Sequence, residues 1–328
     1  MMEGFDSTYS EKIGIIITNL GTPDSPDKKS LKRYLNQFLM DRRVVDINRI
    51  LWLLILKVII LNLRPRKSAK LYKKIWTNEG SPLLVEMKSI LTNLENDNTD
   101  NNNFYGLGMR YGNPSIKSVL SQFKKNNISK ILVLPLYPQA GSPTSSSTLD
   151  EVTNVLSEWS WTPNLRFVNG YHDRPDYISS LSSTIENESN IEHLIFSFHG
   201  MPKRYLINGD PYFCFCHKTA RLVAENLKLK KRNYTLAFQS RFGREEWLKP
   251  YIDEVIIDLA KKGIRKLHVI SPGFSVDCLE TLEEIKIQYS KLFEENGGEE
   301  LVYIPCLNSA EDHISMIKNI IDENIKGW

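Results

Sequence analysis

The sequence predicts an α/β fold made of two similar halves, each built on a four-stranded parallel sheet. Short apolar, β-branched runs alternate with longer helical patterns along the chain. Some of these runs, such as ILVLP at 131–135, are apolar on both faces, as strands are when helices cover both sides of a parallel sheet. Four sequence anchors also recur in the same order in the two halves.

The strand candidates of the first half are 12–18, 104–109, 130–135 and 165–169; those of the second are 192–198, 234–239, 266–271 and 301–305. The repeat supports the pairing of these sets. Leu20-Gly21-Thr22-Pro23 aligns with His199-Gly200-Met201-Pro202, Arg110-Tyr111-Gly112 with Arg241-Phe242-Gly243, Leu134-Pro135 with Ser271-Pro272, and Asp176-Tyr177-Ile178 with Asp312-His313-Ile314. Three anchor spacings fall at about 130–140 residues and the first at about 180, which marks duplication with an insertion at about 30–90 in the first half. The expected domains are therefore 1–172, carrying the insertion, and 173–328, with the C-terminal helix packing back on the first domain.

With 328 residues the chain is long enough for two cores, and 41% hydrophobic with 25% charged residues is the balance of a folded globular protein. A net charge of +3 is too small for a surface built to neutralise phosphates, so no nucleic-acid partner is expected. Four cysteines cannot staple a fold of this size, and the start MMEGFDSTYSEK lacks the basic patch and apolar run of a secretory leader. A cytoplasmic location is the expectation.

The insertion holds ILWLLILKVIILNL at 50–63, too short to span a bilayer, with Arg42, Arg43 and Arg49 before it and Arg64, Arg66, Lys67, Lys70, Lys73 and Lys74 after it. An apolar segment fenced by cations suits a lip on an anionic lipid surface; the alternative is an ordinary buried helix. The lip reading expects polar replacements at Trp52, Leu53 and Leu56 to leave stability nearly unchanged.

Neither a GxGxxG after the first strand nor a GxxxxGK[ST] occurs, which removes the main support for dinucleotide and P-loop chemistry. Cys214, Cys216 and His217 form a CxCH group, yet Cys278 and Cys306 offer no close pair to complete a zinc or iron–sulfur set, so unligated thiols are expected. The stronger signal is Ser197-Phe198-His199-Gly200-Met201-Pro202, which sets an imidazole at the carboxyl end of a strand, where open α/β sheets bind ligands. Its repeat equivalent is Leu20, so the scaffold itself does not require histidine. The second signal is PGFSVDCLETLEE at 272–284, in which Asp277, Glu280 and Glu284 take i, i+3, i+7 spacing on one expected α-helical face. An imidazole with carboxylates and no closed thiolate set suits loose, exchangeable binding of a first-row divalent metal.

These residues, with Asn19–Pro23, Phe38–Asp41, Gly80–Leu83, Met109–Gly112, Leu136–Gln139, Gly209–Tyr212 and Gln239–Gly243, make the chain resemble the ferrochelatase family over nearly its full length. The resemblance implies two Rossmann-like, chelatase-type domains and insertion of Fe2+ into protoporphyrin IX to give protohaem, the last step of haem synthesis. It implies His199 and Glu280 as the paired catalytic and metal-contacting residues, with Asp277 and Glu284 as auxiliary acidic residues. Arg110, Tyr111, Tyr137 and Phe274 would contact the porphyrin. Fe2+ is then a substrate; the sequence stops at Trp328 without a cysteine-bearing extension, so neither an iron–sulfur cluster nor any other cofactor is expected. The lip would admit porphyrin from the cytoplasmic face of the inner membrane. The alternatives are a coproporphyrin III ferrochelatase, a cobalt or nickel chelatase, and a non-catalytic tetrapyrrole or metal carrier.

Overall fold

The computed structural model describes residues 11–243 and 245–328. The polar start that argued against a leader lies, except for its last two residues, outside the described residues. Strands β1 (Ile13–Thr22), β2 (Asn103–Gly112), β3 (Lys130–Pro135) and β4 (Asn164–Phe167) form one sheet in the order β2-β1-β3-β4. Strands β5 (His193–His199), β6 (Tyr234–Gln239), β7 (Lys266–Ile270) and β8 (Glu300–Ile304) form the second in the order β6-β5-β7-β8. Every pairing is parallel, and each half has the same order, as the repeat predicts. One further bond is shared: Met109 N donates to Pro114 O at 2.6 Å, and Phe238 N to Pro250 O at 2.8 Å.

The central strands have no exposed face. In β1, Ile16 enters a core under the outer helices with Val119 and Phe123, while Ile15 and Ile17 enter another with Leu132 and Leu134. In β5, Ile195 likewise packs outward, and Leu194, Phe196 and Phe198 join the same inner core as Ile15 and Ile17. Helices Pro82–Asn96, Pro175–Glu186, Tyr212–Asn226 and Glu311–Ile325 contribute to this shared core. The last of these reaches the first half, where Arg166 donates to the carbonyls of Asn324 and Lys326.

Strand β1 runs four residues beyond its predicted end. Gly21 lies at φ +104, and a side chain there would overlap the carbonyl oxygen of Tyr111 on β2. This glycine allows close approach of two strands.

The insertion supplies helix Lys28–Met40 and then a long irregular helix: α-helical Arg49–Leu54, π-helical Ile55–Ile60 and α-helical Leu61–Ile75. The segment 50–63 is divided between buried and exposed residues. Trp52, Leu56 and Leu61 are buried against Tyr34, Leu35 and Leu39, and Trp52 Nε1 donates to Leu39 O at 2.6 Å. Ile50, Leu51, Leu54, Val58, Ile59 and Leu63 are exposed, Ile50 by 75%. The choice of Trp52 and Leu56 as residues with little role in stability is therefore wrong: both are core residues. Among the described residues no helix is long and apolar enough to cross a membrane.

Candidate active site

The carboxyl ends of β1 and β5 open on one cavity, about 1040 Å³ including its mouth. Leu20 at the end of β1 and His199 at the end of β5, equivalent positions of the repeat, both line it. Each is followed by a glycine held against the neighbouring strand. At Gly200 a side chain would meet Gln239 O and the Trp247 ring, just as one at Gly21 would meet Tyr111 O.

His199 is half-buried, and its Nδ1 lies 2.7 Å from the carbonyl oxygen of Gly200. A carbonyl only accepts, so Nδ1 carries the hydrogen, and in the neutral ring the lone pair is on Nε2. Tyr212 OH donates to His199 O at 3.0 Å and fixes the main chain beneath the ring. Phe274 stands beside the imidazole, with centroids 6.4 Å apart.

Glu280 lines the same cavity from the first turn of a π-helix, Glu280–Tyr289. Gln239, the neighbour of His199 on β6, donates from Nε2 to Glu280 O at 2.9 Å, and its Oε1 accepts from Ser197 Oγ at 2.6 Å. One amide thus ties the strand bearing the imidazole to the helix bearing the carboxylate. Tyr34 and Tyr72 enter from the insertion. Burial first, and nearby charge including the Glu280 carboxylate second, push both phenols well above their usual range, so they remain protonated.

The expected acidic face is not formed. Asp277 precedes the helix and turns away, accepting from Thr281 Oγ1 at 2.9 Å and Asn308 Nδ2 at 2.7 Å, with Tyr303 OH as a third donor. Glu284 accepts from Ser240 N at 3.0 Å, Gln239 Nε2 at 3.1 Å, Tyr289 OH at 2.9 Å and Ser240 Oγ. Asp277 lies before the first helical turn, so no helical period relates it to Glu280, and Glu284 is drawn aside by the donors of Gln239 and Ser240 at the end of β6. Among the described residues no three His, Cys, Asp or Glu side chains are grouped to hold a metal.

Tyr137 and Phe274 line the cavity with His199 and Glu280, whereas Arg110 and Tyr111 stand behind its wall. Arg110 Nε donates to Ser147 O and Oγ at 2.9 and 2.7 Å, and its guanidinium pairs with Asp41. Tyr111 OH donates to Asp41 at 2.7 Å, and its ring backs the cavity-lining Phe38 edge-on at 5.2 Å. Burial raises the Asp41 carboxyl, but bonds from Ser147 and Tyr111 and the charge of Arg110 outweigh it and hold it below its usual range. Among the site residues to which sequence reasoning assigned no role are Tyr34, Phe38, Tyr72, Tyr212 and Gln239; of these five, Phe38, Tyr212 and Gln239 fall in segments it had singled out. The CxCH residues do not converge: Cys216 is in the core, Cys214 is exposed, and His217 packs on Phe213 at 4.4 Å.

The fold is similar to that of SirB from Bacillus subtilis with Fe3+, at a TM-score of 0.59 and 11% identity over 96% of each chain. It is also similar to the sirohydrochlorin chelatase SirB from Bacillus subtilis subspecies spizizenii in complex with cobalt, at a TM-score of 0.58 and 12% identity over 97% of this chain and 98% of that one. Much nearer in sequence are the ferrochelatase of Marinobacter nauticus, 46% identical over 100% of this chain and 90% of its own length, and ferrochelatase 2 of Shewanella oneidensis, 46% identical over 94% and 97%. The family model described as ferrochelatase matches residues 12–325. With that match spanning nearly every described element, the chain belongs to the ferrochelatase family.

Proposed function

We propose that this ferrochelatase is a lyase that inserts Fe2+ into protoporphyrin IX, releases two pyrrole protons and yields protohaem as the last step of haem synthesis. The observation that carries the reading is an imidazole with a free Nε2 and a carboxylate facing one largely apolar cavity. The lone pair of His199 Nε2 serves one partner at a time: it contacts the incoming cation and, once the cation passes to the ring, accepts one pyrrole proton, while Glu280 takes the second. The phenols of Tyr34 and Tyr72, held protonated, steady the carboxylate as its charge changes. Tyr137 and Phe274 contact the ring, and Arg110 and Tyr111 brace the wall behind Phe38. Asp277 and Glu284, already hydrogen-bonded elsewhere, act on the metal only through their effect on the π-helix.

Porphyrin choice follows from the lining. Four tyrosines, four leucines and two phenylalanines give it most of its large side chains, and no described Arg or Lys is among the residues that form it. The additional carboxylates of coproporphyrin III would be desolvated there without a cation, whereas protoporphyrin is largely apolar. The exposed apolar face of the insertion, rimmed by Lys57, Arg64 and Lys67, suits peripheral attachment to the cytoplasmic face of the inner membrane. We assign no iron–sulfur cluster. An anaerobic assay with Fe2+ and each porphyrin in parallel, followed by absorbance, tests the reading. Faster metallation of protoporphyrin supports it; a preference for coproporphyrin III, or no turnover with either, overturns it.

A further inference from the structure

We infer that Lys74 is a positioning residue for Glu280, acting through Glu283. The inference rests on the reading of Glu280 as a reacting group. The helix that begins at Glu280 is π-helical for ten residues. Long π segments are rare because their hydrogen-bond geometry is poor, so this one depends on contacts from outside to keep its register. On one side those contacts come from the second half, where Gln239 holds Glu280 O and Ser240 holds Glu284. On the other they come from the insertion.

Glu283 is the anchor on that side. Its side chain is only 2% exposed, yet it carries a carboxylate. One oxygen accepts from Lys74 Nζ at 2.7 Å and the other from Gln288 Nε2. Lys74 lies near the end of helix Leu61–Ile75, the helix that also sends Tyr72 into the cavity, and Tyr72 shares an apolar cluster with Leu31, Ala69 and Leu279. The inserted helix therefore meets the first turn of the π-helix at two points, Leu279 and Glu283. Glu280 lies between them in sequence.

A buried carboxylate stays buried while a cation is paired with it; alone, it is driven towards water. Lys74 thus keeps Glu283 seated, and a seated Glu283 holds the turn that aims Glu280. The charges serve only this purpose, so an uncharged pair of similar size will also serve.

The test measures kcat and KM for Fe2+ and protoporphyrin IX, with a melting curve, for K74M, K74R, K74M/E283Q and E280Q. For K74M a fall of about tenfold or more in kcat is expected, with KM for porphyrin within about twofold of wild type, because displacement of a reacting group by around 1 Å costs rate more than ring binding. K74R, which keeps the charge, and K74M/E283Q, which removes the need for it, should both recover most of kcat. Wild-type kcat in K74M, or an equal loss in the double variant, overturns the inference, as does a lowered Tm with unchanged kcat. Should K74M fail to fold, K74Q, which keeps an N–H donor without charge, carries the same comparison. E280Q separates the two claims: if it turns over normally, the reading of Glu280 falls; if it is inactive while K74M is unaffected, only the role of Lys74 falls.

Discussion

His313 donates its Nδ1 hydrogen to the carbonyl of Asn308, and its Nε2 has no hydrogen-bond partner among the described residues. Asn308 in turn holds Asp277 through both its side-chain oxygen and its amide. Burial pushes the His313 imidazole down to about 4, against a smaller opposing effect of the Asn308 carbonyl.

A pH dependence follows, with a definite sign. The unfolded chain takes up this proton near the ordinary histidine value of about 6.5, and the folded chain resists until about 4, so stability is complete above the first and falls through the second. Roughly 2–4 kcal/mol is at stake. Burial lowers His172, His193, His217 and His268 as well, with the same sign. Melting curves between pH 7 and 4.5 should show Tm falling steeply for wild type and less steeply for H313N. Parallel falls would show that His313 is not a source.

His199→Ala should fold and lose metallation by about 10²–10⁴-fold, the usual worth of a positioned base. The fold is preserved because the side chain lines the cavity, and Leu20 occupies the equivalent place in the first half. Glu280→Gln keeps the shape but neither accepts a proton nor carries charge, and should lose a comparable amount. Absorbance assays on variants with intact circular dichroism decide this; near-normal turnover in either removes that residue from the chemistry.

The two faces of 50–63 separate in one experiment. Serine at Ile50, Leu54, Val58 and Leu63 together should abolish flotation with anionic liposomes and leave Tm nearly unchanged, since exposed apolar groups gain little from folding. Serine at Trp52 or Leu56 should cost several kcal/mol, as burial of a polar group in a vacated core site does. Unchanged flotation in the quadruple variant would remove the lipid role.

The purified protein should contain no acid-labile sulfide, and C214S/C216A should retain activity. Burial holds the Cys216 thiol well above its usual range, so it offers no thiolate at neutral pH. Alanine is the appropriate replacement there, because serine would strand a hydroxyl in the core. Stoichiometric sulfide lost with activity in that variant would overturn this expectation.

What was legible in the sequence was whatever depends on near neighbours along the chain. The buried strands declare themselves as unbroken apolar runs, and His199 declares itself by ending one of them. The acidic line failed because the helix starts only after Asp277 and because the donors that draw Glu284 aside, Gln239 and Ser240, lie more than 40 residues away in the sequence. Tyr34, Phe38 and Tyr72 were passed over because aromatic residues at helical spacing look the same whether they face a core or a cavity. Lys74 and Glu283 lie 209 residues apart, and nothing local marks either as the partner of the other.

The inner core that takes Ile15 and Ile17 from one sheet and Phe196 and Phe198 from the other also has a thermodynamic consequence. Neither half owns enough of that core to melt alone, and Tyr171–Ser275 and Gln139–Thr219 bonds cross between them. The duplication visible in the sequence is therefore invisible to heat: calorimetry should record one cooperative transition, and a half-length chain expressed alone should expose half an interior to water and aggregate.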